Sequence, residues 1–317
     1  MSVVVVTGIS GYIGGQTALH LCDQGHTVYG VDRRPLPKHL ESACTEFLCE
    51  DFASDQALSR VIQLQPKAIV HCAGSSLVGP SILNPSEYYN NNVVKTLKLL
   101  DCIKQSMPKT RIIFSSSAAT YGEPVMLPIN EVDPTDPVSP YGESKLMIDM
   151  MLKSYHQAYG IDYVSFRYFN ACGADPQARH GPEPADTHII SRVLESIRDQ
   201  KEFTLFGNNY PTADGTCVRD YVHVDDLAQA HTVAVDEKIP LGIYNLGSNS
   251  GTSNQEIITA AERITGKKLK VVVGAQRTGD PAVLTASADK FNGLTRWQQW
   301  NLDDMIQHAW TWYQRDV

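Results

Sequence analysis

The sequence has no excess of basic residues, no long apolar run and no paired cysteine motif. Its 317 residues include 27 Lys and Arg against 35 Asp and Glu, a formal net charge of −8. This charge argues against nucleic acid or an anionic membrane as the main partner. No apolar run approaches the roughly 20 residues of a membrane-spanning helix, and the N-terminal MSVVVVTG lacks the basic and apolar regions of a signal peptide. We therefore expect a cytoplasmic protein.

The seven cysteines and ten histidines show no metal-binding spacing. The cysteines are odd in number, form no C-x-x-C pair and in part lie in apolar segments such as VHCAG, so we interpret them as buried, reduced thiols. We predict no metal site. The composition, 42% hydrophobic and 20% charged, is ordinary for a globular protein with room for a large core or two domains.

Apolar, strand-like runs alternate with helix-like segments through the first half of the chain. This alternation is typical of a Rossmann-type α/β fold, in which helices cover both faces of a doubly wound parallel sheet. The predicted strands are Val3–Thr7, Thr27–Asp32, Phe47–Leu48, Ala68–Ala73, Arg111–Ser115 and Tyr163–Arg167. The predicted helices are Tyr12–Gln24, Ala57–Leu64, Tyr88–Met107 and Ser139–Tyr159.

The second half begins with a loop-like stretch, residues 173–186, that is rich in Gly, Pro, Ala and Asp. Further predicted elements are the helix Ile189–Gln200, the strand Phe203–Phe206, the helix Val224–Asp236, the strand Ile243–Leu246, the helix Asn254–Thr265, the strand Lys268–Val273 and a Trp-rich terminal helix. We predict a Rossmann domain of residues 1–170, to which 221–247 return. Residues 171–220 and 248–317 would form a smaller C-terminal α/β lobe.

A glycine-rich turn follows the first predicted strand and opens the first predicted helix. In TGISGYIG, Gly8, Gly11 and Gly14 leave bare backbone where a pyrophosphate approaches the N–H groups of a helix N-terminus. Asp32 ends the next strand, about 20 residues on, where a carboxylate binds the adenosine ribose hydroxyls and disfavours a 2′-phosphate. The two arginines that follow it would suit that phosphate, so NADP stays an alternative. We predict an NAD site.

The stretch PYGESK contains a tyrosine and a lysine one helical turn apart. Tyr141 and Lys145, at positions i and i+4, share a helix face. A phenol has an ordinary pKa near 10, and a cation within about 4–6 Å favours its ionised form. The run FSSSAATYG follows a predicted strand and includes a hydroxyl, Ser117. A lone Y-x-x-x-K is usually an exposed helix face, but beside the glycine-rich turn it favours proton transfer coupled to hydride transfer.

The glycine spacing is GxxGxxG, and with HCAG after the fourth strand and YYNNNV further on it resembles the extended short-chain dehydrogenase/reductase superfamily. The segment FGNNYPTADGTCVRDYVHVDDL, residues 206–227, is more specific and is similar to the UDP-glucose 4-epimerase family. The segments RYFN at 167–170, THII at 187–190 and RTGDP at 277–281 fit the same family. The resemblance runs from residue 3 to the terminal helix.

This resemblance implies a reaction and a set of site residues. The triad Tyr141, Lys145 and Ser117 would remove hydride from C4 of a UDP-hexose to a permanently bound NAD and return it to the opposite face. The implied NAD-binding residues are Gly8, Gly11, Tyr12, Ile13, Gly14, Asp32, Arg33, Asp51, Phe52, Cys72, Ala73, Gly74, Ser76, Asn92, Ser115, Tyr141, Lys145, Tyr168 and Phe169. The implied substrate-binding residues are Ser117, Tyr141, Asn170, His188, Thr204, Leu205, Phe206, Arg219, Arg277, Asp280 and Leu284.

Several alternative functions belong to the same superfamily or to another class. Nucleotide-sugar 4,6-dehydratases have Asp-Glu directly after the catalytic hydroxyl, where this chain has Ala118 and Ala119, which cannot transfer a proton. A net sugar oxidoreductase would exchange its cofactor. A non-catalytic NAD-sensing protein could dispense with Tyr141 and Lys145. A UDP-N-acetylglucosamine 4-epimerase also stays open, because Leu284, at the family's gating position, is intermediate in size.

Two predicted helices have apolar stripes. They consist of Val93, Leu97, Leu100 and Ile103 in one helix and of Leu146, Met150 and Tyr155 in the other. Part of each stripe must be core. Family members pair these helices with their copies, so the resemblance implies a homodimer that associates through a four-helix bundle.

Overall fold

A computed structural model of the chain describes residues 1–183, 188–236, 238–276 and 281–315. In chain order the strands are β1 (Val3–Thr7), β2 (Thr27–Asp32), β3 (Glu46–Cys49), β4 (Ala68–His71), β5 (Arg111–Ser117), β6 (Tyr163–Tyr168), β7 (Asn170–Cys172), β8 (Phe203–Phe206), β9 (Val218–Arg219), β10 (Tyr221–His223), β11 (Gly242–Leu246), β12 (Thr252–Ser253), β13 (Val271–Gly274) and β14 (Val283–Leu284). The helices are α1 (Tyr12–Asp23), α2 (Asp55–Leu64), α3 (Val78–Leu83), α4 (Pro85–Tyr88), α5 (Lys95–Ser106), α6 (Pro140–Tyr159), α7 (Ile189–Asp199), α8 (Val224–Val235), α9 (Asn254–Thr265), α10 (Asp289–Asn292) and α11 (Leu302–Tyr313).

A seven-stranded sheet has the order β11-β6-β5-β4-β1-β2-β3. Neighbouring strands from β1 to β6 pair in parallel. The direction of winding reverses between β1 and β4, and ligands of such sheets bind at the carboxyl ends of the strands near this reversal. The predicted Rossmann-type doubly wound fold is confirmed.

Burial explains why the central strands are apolar along their whole length. In β1 the side chains of Val4, Val5 and Val6 are fully buried, because helices cover both faces of a parallel sheet. The helices begin where a polar side chain caps the first turn: the hydroxyl of Ser54 accepts from Ala57 N at 3.1 Å at the start of α2. Ser253 begins α9 with a reciprocal capping box.

The chain divides into two compact units. The first comprises Met1–Glu123, Glu131–Tyr168 and Ala228–Asn245, and the second comprises Pro124–Asn130, Phe169–Leu227 and Leu246–Val317. The core of the first unit includes Val5, Ile69, Leu100 and Ile112 and packs the sheet against its helices. The core of the second includes Val193, Ile257 and Ile306, from α7, α9 and α11.

The predicted helix Tyr88–Met107 is not continuous. It is a short helix, α4, then a π-helical turn at Tyr89–Val94 and then α5. The turn contains Asn92, whose carboxamide binds the backbone of Ser75 through both its oxygen and its nitrogen, at 2.8 and 3.0 Å. A π-helical turn redirects one side chain out of the regular helical register, which periodicity in the sequence does not report.

The other predicted helices and strands are present, with shifted ends. Residues 173–183 form no helix or strand, as expected of a loop, and 184–187 lie outside the described residues. The prediction omitted α3, α10, residues 85–87 of α4 and the two- and three-residue strands β7, β9, β10, β12 and β14. Such short strands are set by pairing across the fold, and their few residues have no readable period.

All seven cysteines are free thiols. Cys102, Cys172 and Cys217 are buried, and Cys49 is exposed. The expectation that the thiols are buried therefore fails for Cys49. Among the described residues, no helix combines the length and the apolar character that crossing a membrane requires. Within the same residues, no three His, Cys, Asp or Glu side chains gather as metal ligands.

Candidate active site

The glycine-rich turn brings the end of β1 against the end of β4. Gly8 has a φ of +76°, and a Cβ there would lie 2.6 Å from the backbone nitrogen of Ala73. A Cβ on Gly14 would overlap the carbonyl oxygen of Gly8. No side chain caps α1, whose N-cap is Gly11. Bare backbone and uncapped N–H groups therefore meet at one point, which fits a dinucleotide pyrophosphate.

Asp32 is buried at the end of β2. Its carboxylate accepts hydrogen bonds from the backbone of Ser10 at 3.1 Å and of Arg34 at 2.9 Å. These bonds fix a negative charge beside the glycine-rich turn, where it can accept from ribose hydroxyls and would repel a 2′-phosphate. Arg33 and Arg34 are both exposed. The residues of this region therefore fit NAD.

Other predicted cofactor residues lie where strands of the sheet end. Asp51 and Phe52 follow β3, and Cys72, Ala73 and Gly74 follow β4. Burial alone would raise the pKa of Asp51, but the Lys95 ammonium, 2.6 Å away, and the Ala53 N–H lower it below its usual value. Phe52 packs edge-on against buried His71, with ring centroids 4.8 Å apart.

The remaining predicted cofactor residues differ in how deeply they are buried. Tyr12 and Ile13 are half-buried in the first turn of α1, and Ser76 is exposed. Asn92, in contrast, is buried, and its amide also donates to Ser144 at 2.9 Å. Its side chain therefore holds the Ser75 loop to α6. Phe169 is buried in the second unit.

Helix α6 is fixed at its first turn by three sequence features. Ser139 caps it by accepting from Gly142 N at 3.2 Å, and Pro140 occupies the first helical position. Gly142 lies so close to the 3₁₀ turn Ala118–Thr120 that a Cβ would overlap the carbonyl of Ala119. This close approach brings the end of β5 against the first turn of α6.

The predicted triad comes together at that junction. The side chains of Ser117, the last residue of β5, and Tyr141, in the first turn of α6, lie close enough for the Ser117 hydroxyl to lower the pKa of the phenol. The ammonium of Lys145 lies 5.8 Å from the centroid of the Tyr141 ring. It donates to the carbonyl oxygen of Ser115 at 2.6 Å and lies 4.7 Å from the centroid of the Phe114 ring.

The acid–base properties of the triad differ in one respect from the sequence-based expectation. Burial raises the pKa of Tyr141, and the nearby hydroxyl of Ser117 opposes this rise. Burial lowers the pKa of Lys145 to about 8, and Cys72 and Asp149 oppose this lowering. In the protein alone the pKa of the phenol is therefore raised and not lowered, although the Lys145 ammonium lies 5.8 Å from the ring centroid.

A hydrogen-bonded chain crosses the ends of β6, β5 and β4 beneath the triad. His231 Nε2 lies 2.6 Å from the hydroxyl of Tyr168, which is 2.9 Å from Ser115 Oγ. Ser115 Oγ in turn donates to Cys72 Sγ at 3.0 Å. Two predicted cofactor residues, Tyr168 and Ser115, thus direct their hydroxyls to one another. The sequence contained no signal for His231.

Asp149 is a second residue that the sequence analysis missed. It lies one turn beyond Lys145 on α6, and the series 141, 145, 149 on one helix face was the signal that could have found it. Its carboxylate binds Arg167 Nε at 3.0 Å, Ser165 Oγ at 2.6 Å and Ser116 Oγ at 3.2 Å.

Among the predicted substrate residues that the structure describes, all but Ser117 and Tyr141 lie in the second unit. Arg219 and Leu284 are neighbours in register on β9 and β14, although 65 positions separate them in the sequence. The amide of Asn170 donates to the carbonyl of Asp220 at 2.7 Å. His188 is exposed at the start of α7.

The strand β8 contains three more of the predicted substrate residues, Thr204, Leu205 and Phe206. It pairs in parallel with β13. Leu205 faces the core of the second unit, whereas Thr204 and Phe206 are half-buried. Arg277 and Asp280 lie outside the described residues.

Comparison with known proteins finds relatives that match nearly the whole chain. Residues 4–247 match the model of the NAD dependent epimerase/dehydratase family. A UDP-glucose 4-epimerase of Halalkalibacterium halodurans is 42% identical over 98% of this chain and 95% of its own length.

Solved structures agree with these sequence matches. A UDP-glucose 4-epimerase from Brucella ovis in complex with NAD superposes with a TM-score of 0.92 and 37% identity, covering 98% of both chains. One from Bifidobacterium longum in complex with NAD+ and UDP superposes with a TM-score of 0.89 and 34% identity, covering 98% of this chain and 97% of the other.

Proposed function

The chain belongs to the NAD dependent epimerase/dehydratase family and, within it, to the UDP-glucose 4-epimerases, and we propose that it interconverts UDP-glucose and UDP-galactose. The observation that carries this proposal is the Ser117–Tyr141–Lys145 arrangement at the end of β5, in a fold whose glycine-rich turn and Asp32 fit NAD. The enzyme is an isomerase, and its cofactor is NAD.

Bound NAD supplies a hydride acceptor that later returns the hydride to the same carbon. Tyr141 takes the proton from the 4-hydroxyl of the hexose and gives it back after the sugar has presented its opposite face. Ser117, whose hydroxyl lies beside Tyr141, holds the same sugar oxygen. Lys145 stabilises the phenolate as a nearby cation, and its bond to Ser115 keeps it in place.

The residues after Ser117 restrict the reaction to hydride transfer. Ala118 and Ala119 form the 3₁₀ turn next to the triad, and neither side chain can donate or accept a proton. Elimination of water across C5 and C6 needs an acid and a base, so the dehydratase alternative has no groups to perform it.

We assign the nucleotide sugar to the predicted substrate-binding residues. Arg219 and Arg277 suit the diphosphate, since a guanidinium pairs with phosphate oxygens in two parallel hydrogen bonds. The family pattern assigns Asn170, His188, Asp280 and residues 204–206 to other parts of the nucleotide sugar. The register of Leu284 beside Arg219 supports its role as the residue that limits the size of the hexose.

We further propose a homodimer and a cytoplasmic location. Leu100 and Ile103, half of one predicted stripe, belong to the core, but Val94, Leu97, Met147 and Met150 are exposed and are available for a four-helix contact between copies. Sedimentation of the wild type and of a Met150→Asp variant tests this contact, and a wild type that sediments as a monomer contradicts it. The seven free thiols support a reducing compartment.

Incubation of the purified protein with UDP-galactose, without added NAD, tests the proposed function. Formation of UDP-glucose with no net NADH is the expected result. A released keto sugar would indicate a dehydratase, net NADH a sugar oxidoreductase, and no turnover a binding protein. A parallel incubation with UDP-N-acetylgalactosamine decides whether Leu284 admits an N-acetyl group.

A further inference from the structure

An ion pair is buried beneath the catalytic helix, and the proposed function makes no use of it. The side chains of Asp149 and Arg167 are 2% and 4% exposed, and Arg167 Nε lies 3.0 Å from Asp149 Oδ2. Removing two charges from water costs several kcal/mol per ion in proteins, and such pairs are often no more stabilising than an apolar replacement. Stability is therefore a weak reason for this pair.

The position of Asp149 connects it to the triad. Tyr141, Lys145 and Asp149 follow one another at four-residue intervals and share one face of α6. The carboxylate of Asp149 also accepts from Ser116, which lies between Ser115 and Ser117 in β5. Ser115 accepts a hydrogen bond from the Lys145 ammonium, and Ser117 lies beside Tyr141, so Asp149 joins α6 to the strand whose residues lie against both catalytic side chains.

The charged and titratable groups around Lys145 are few. Cys72 and His71 face it from β4, Tyr141 and Asp149 from its own helix, and Asp149 is the one carboxylate among these groups. Around Asp149 the neighbours are Arg167, Ser165 and Tyr163 from β6, and Ser116 from β5. Both Cys72 and His71 are neutral at pH 7, because burial raises the pKa of Cys72 to about 11 and lowers that of His71 to about 3.

We propose that Asp149 is a positioning residue for catalysis: held in place by Arg167, its carboxylate keeps the Lys145 ammonium protonated and attached to Ser115. This inference rests on the proposed epimerase function. A buried ammonium tends to lose its proton, and Lys145 has no other carboxylate to prevent this among the groups identified above. The buried Asp149–Arg167 pair therefore has a role in keeping Lys145 charged that offsets the cost of its burial.

The test is the pH dependence of kcat in Asp149→Asn. Turnover needs a charged Lys145, so activity falls on the alkaline side as the pH passes the pKa of Lys145. Without the carboxylate this alkaline limb moves to lower pH by about one unit. A purely structural role would lower kcat at every pH and leave the limb where it is.

Three further variants keep the test decisive. Asp149→Glu retains the charge, so its alkaline limb stays in place even if packing is disturbed. Asp55→Asn makes the same chemical change at an exposed carboxylate paired with Lys98 and leaves the profile unchanged. Asp149→Asn combined with Arg167→Leu leaves no unpaired buried charge, and the limb moves in the same direction if the single variant fails to fold.

An unmoved alkaline limb in the folded Asp149→Asn or double variant would overturn the proposal. A limb that moves equally in Asp149→Glu would also overturn it, since packing and not charge would then be the cause. Failure of the proposed function is distinguishable, because the wild type itself would then not convert UDP-galactose.

Discussion

Each compact unit contains buried acidic side chains, and two of these sites differ in their partners. In the first unit, Asp149 meets a guanidinium and two serine hydroxyls. In the second, buried Asp220 accepts from the N–H and the hydroxyl of Ser248 and from Ala286 N, at 2.6 to 3.1 Å. Asp226 accepts from the backbone nitrogens of Gln299 and Trp300.

Asp149 and the pair Asp220 and Asp226 therefore have different roles. The charge of Asp149 acts on neighbouring charged groups, whereas Asp220 and Asp226 order loops. A charged pair beneath a catalytic helix acts on the protonation of its neighbours. Carboxylates that accept from backbone N–H groups tie together segments distant in sequence, as Asp220 does for residues 248 and 286. We expect variants in the first unit to change turnover or unfolding strongly, and variants in the second to change substrate affinity or pH response more moderately.

The largest expected effect is that of Tyr141→Phe. Loss of the phenol removes the group that exchanges the proton, so kcat falls about a thousandfold or more, while the fold and the bound NAD are retained. Turnover and released NAD measure the two consequences. Tyr159→Phe, at an exposed tyrosine of the same helix, is the control, and a fully active Tyr141→Phe protein would contradict the mechanism.

Arg167→Met tests the charged pair through stability. It leaves Asp149 buried without a cation, which lowers the free energy of unfolding by about 3–5 kcal/mol. Denaturant titration measures the change. Arg60→Met breaks an exposed pair with Glu46 and is expected to leave the free energy of unfolding almost unchanged. Equal losses in the two variants would remove the distinction drawn between buried and exposed charges.

Arg219→Ala tests the second unit through substrate affinity. Loss of the proposed diphosphate contact raises KM for UDP-galactose by about tenfold, and Arg219→Lys recovers part of it, because an ammonium keeps the charge without the bidentate geometry. Steady-state kinetics separate KM from kcat. Arg198→Ala, at an arginine paired with Asp199, is the control. A loss confined to kcat would assign Arg219 to the chemistry instead.

The smallest effect concerns Asp226. Burial raises its folded-state pKa to about 7. Hydrogen bonds from the backbone of Gln299 and Trp300 lower this pKa, and the charges of Asp225 and Asp304 raise it further. A raised carboxyl pKa adds stability at pH below about 4, and this contribution is lost as the pH rises to about 7. Asp226→Asn, neutral at every pH, therefore becomes more stable relative to wild type as the pH rises from about 4 to about 8. Denaturant unfolding at both pH values measures this, and a constant difference would exclude it.

Much of the first unit could be predicted because its signals are local. The apolar run of β1, the turn from Gly8 to Gly14 and the acid at Asp32 each follow from neighbouring residues, and parallel sheets of alternating elements allow few topologies. The π-helical turn at Tyr89–Val94 could not be predicted, because Asn92 is drawn out of register by its bonds to Ser75, a residue of another segment.

The candidate site divides in the same way. The four-residue interval between Tyr141 and Lys145, the hydroxyl of Ser117 and the alanines that follow it are written in the sequence, since helix geometry and side-chain chemistry alone give them meaning. Only the tertiary structure determines three other features. The ammonium of Lys145 points at Ser115, the strand register places Arg219 beside Leu284, and Arg167 is buried against Asp149. These three features depend on distances between segments that are far apart in the chain. The pKa shifts at the site depend on burial and on such neighbours, so no local sequence pattern predicts them.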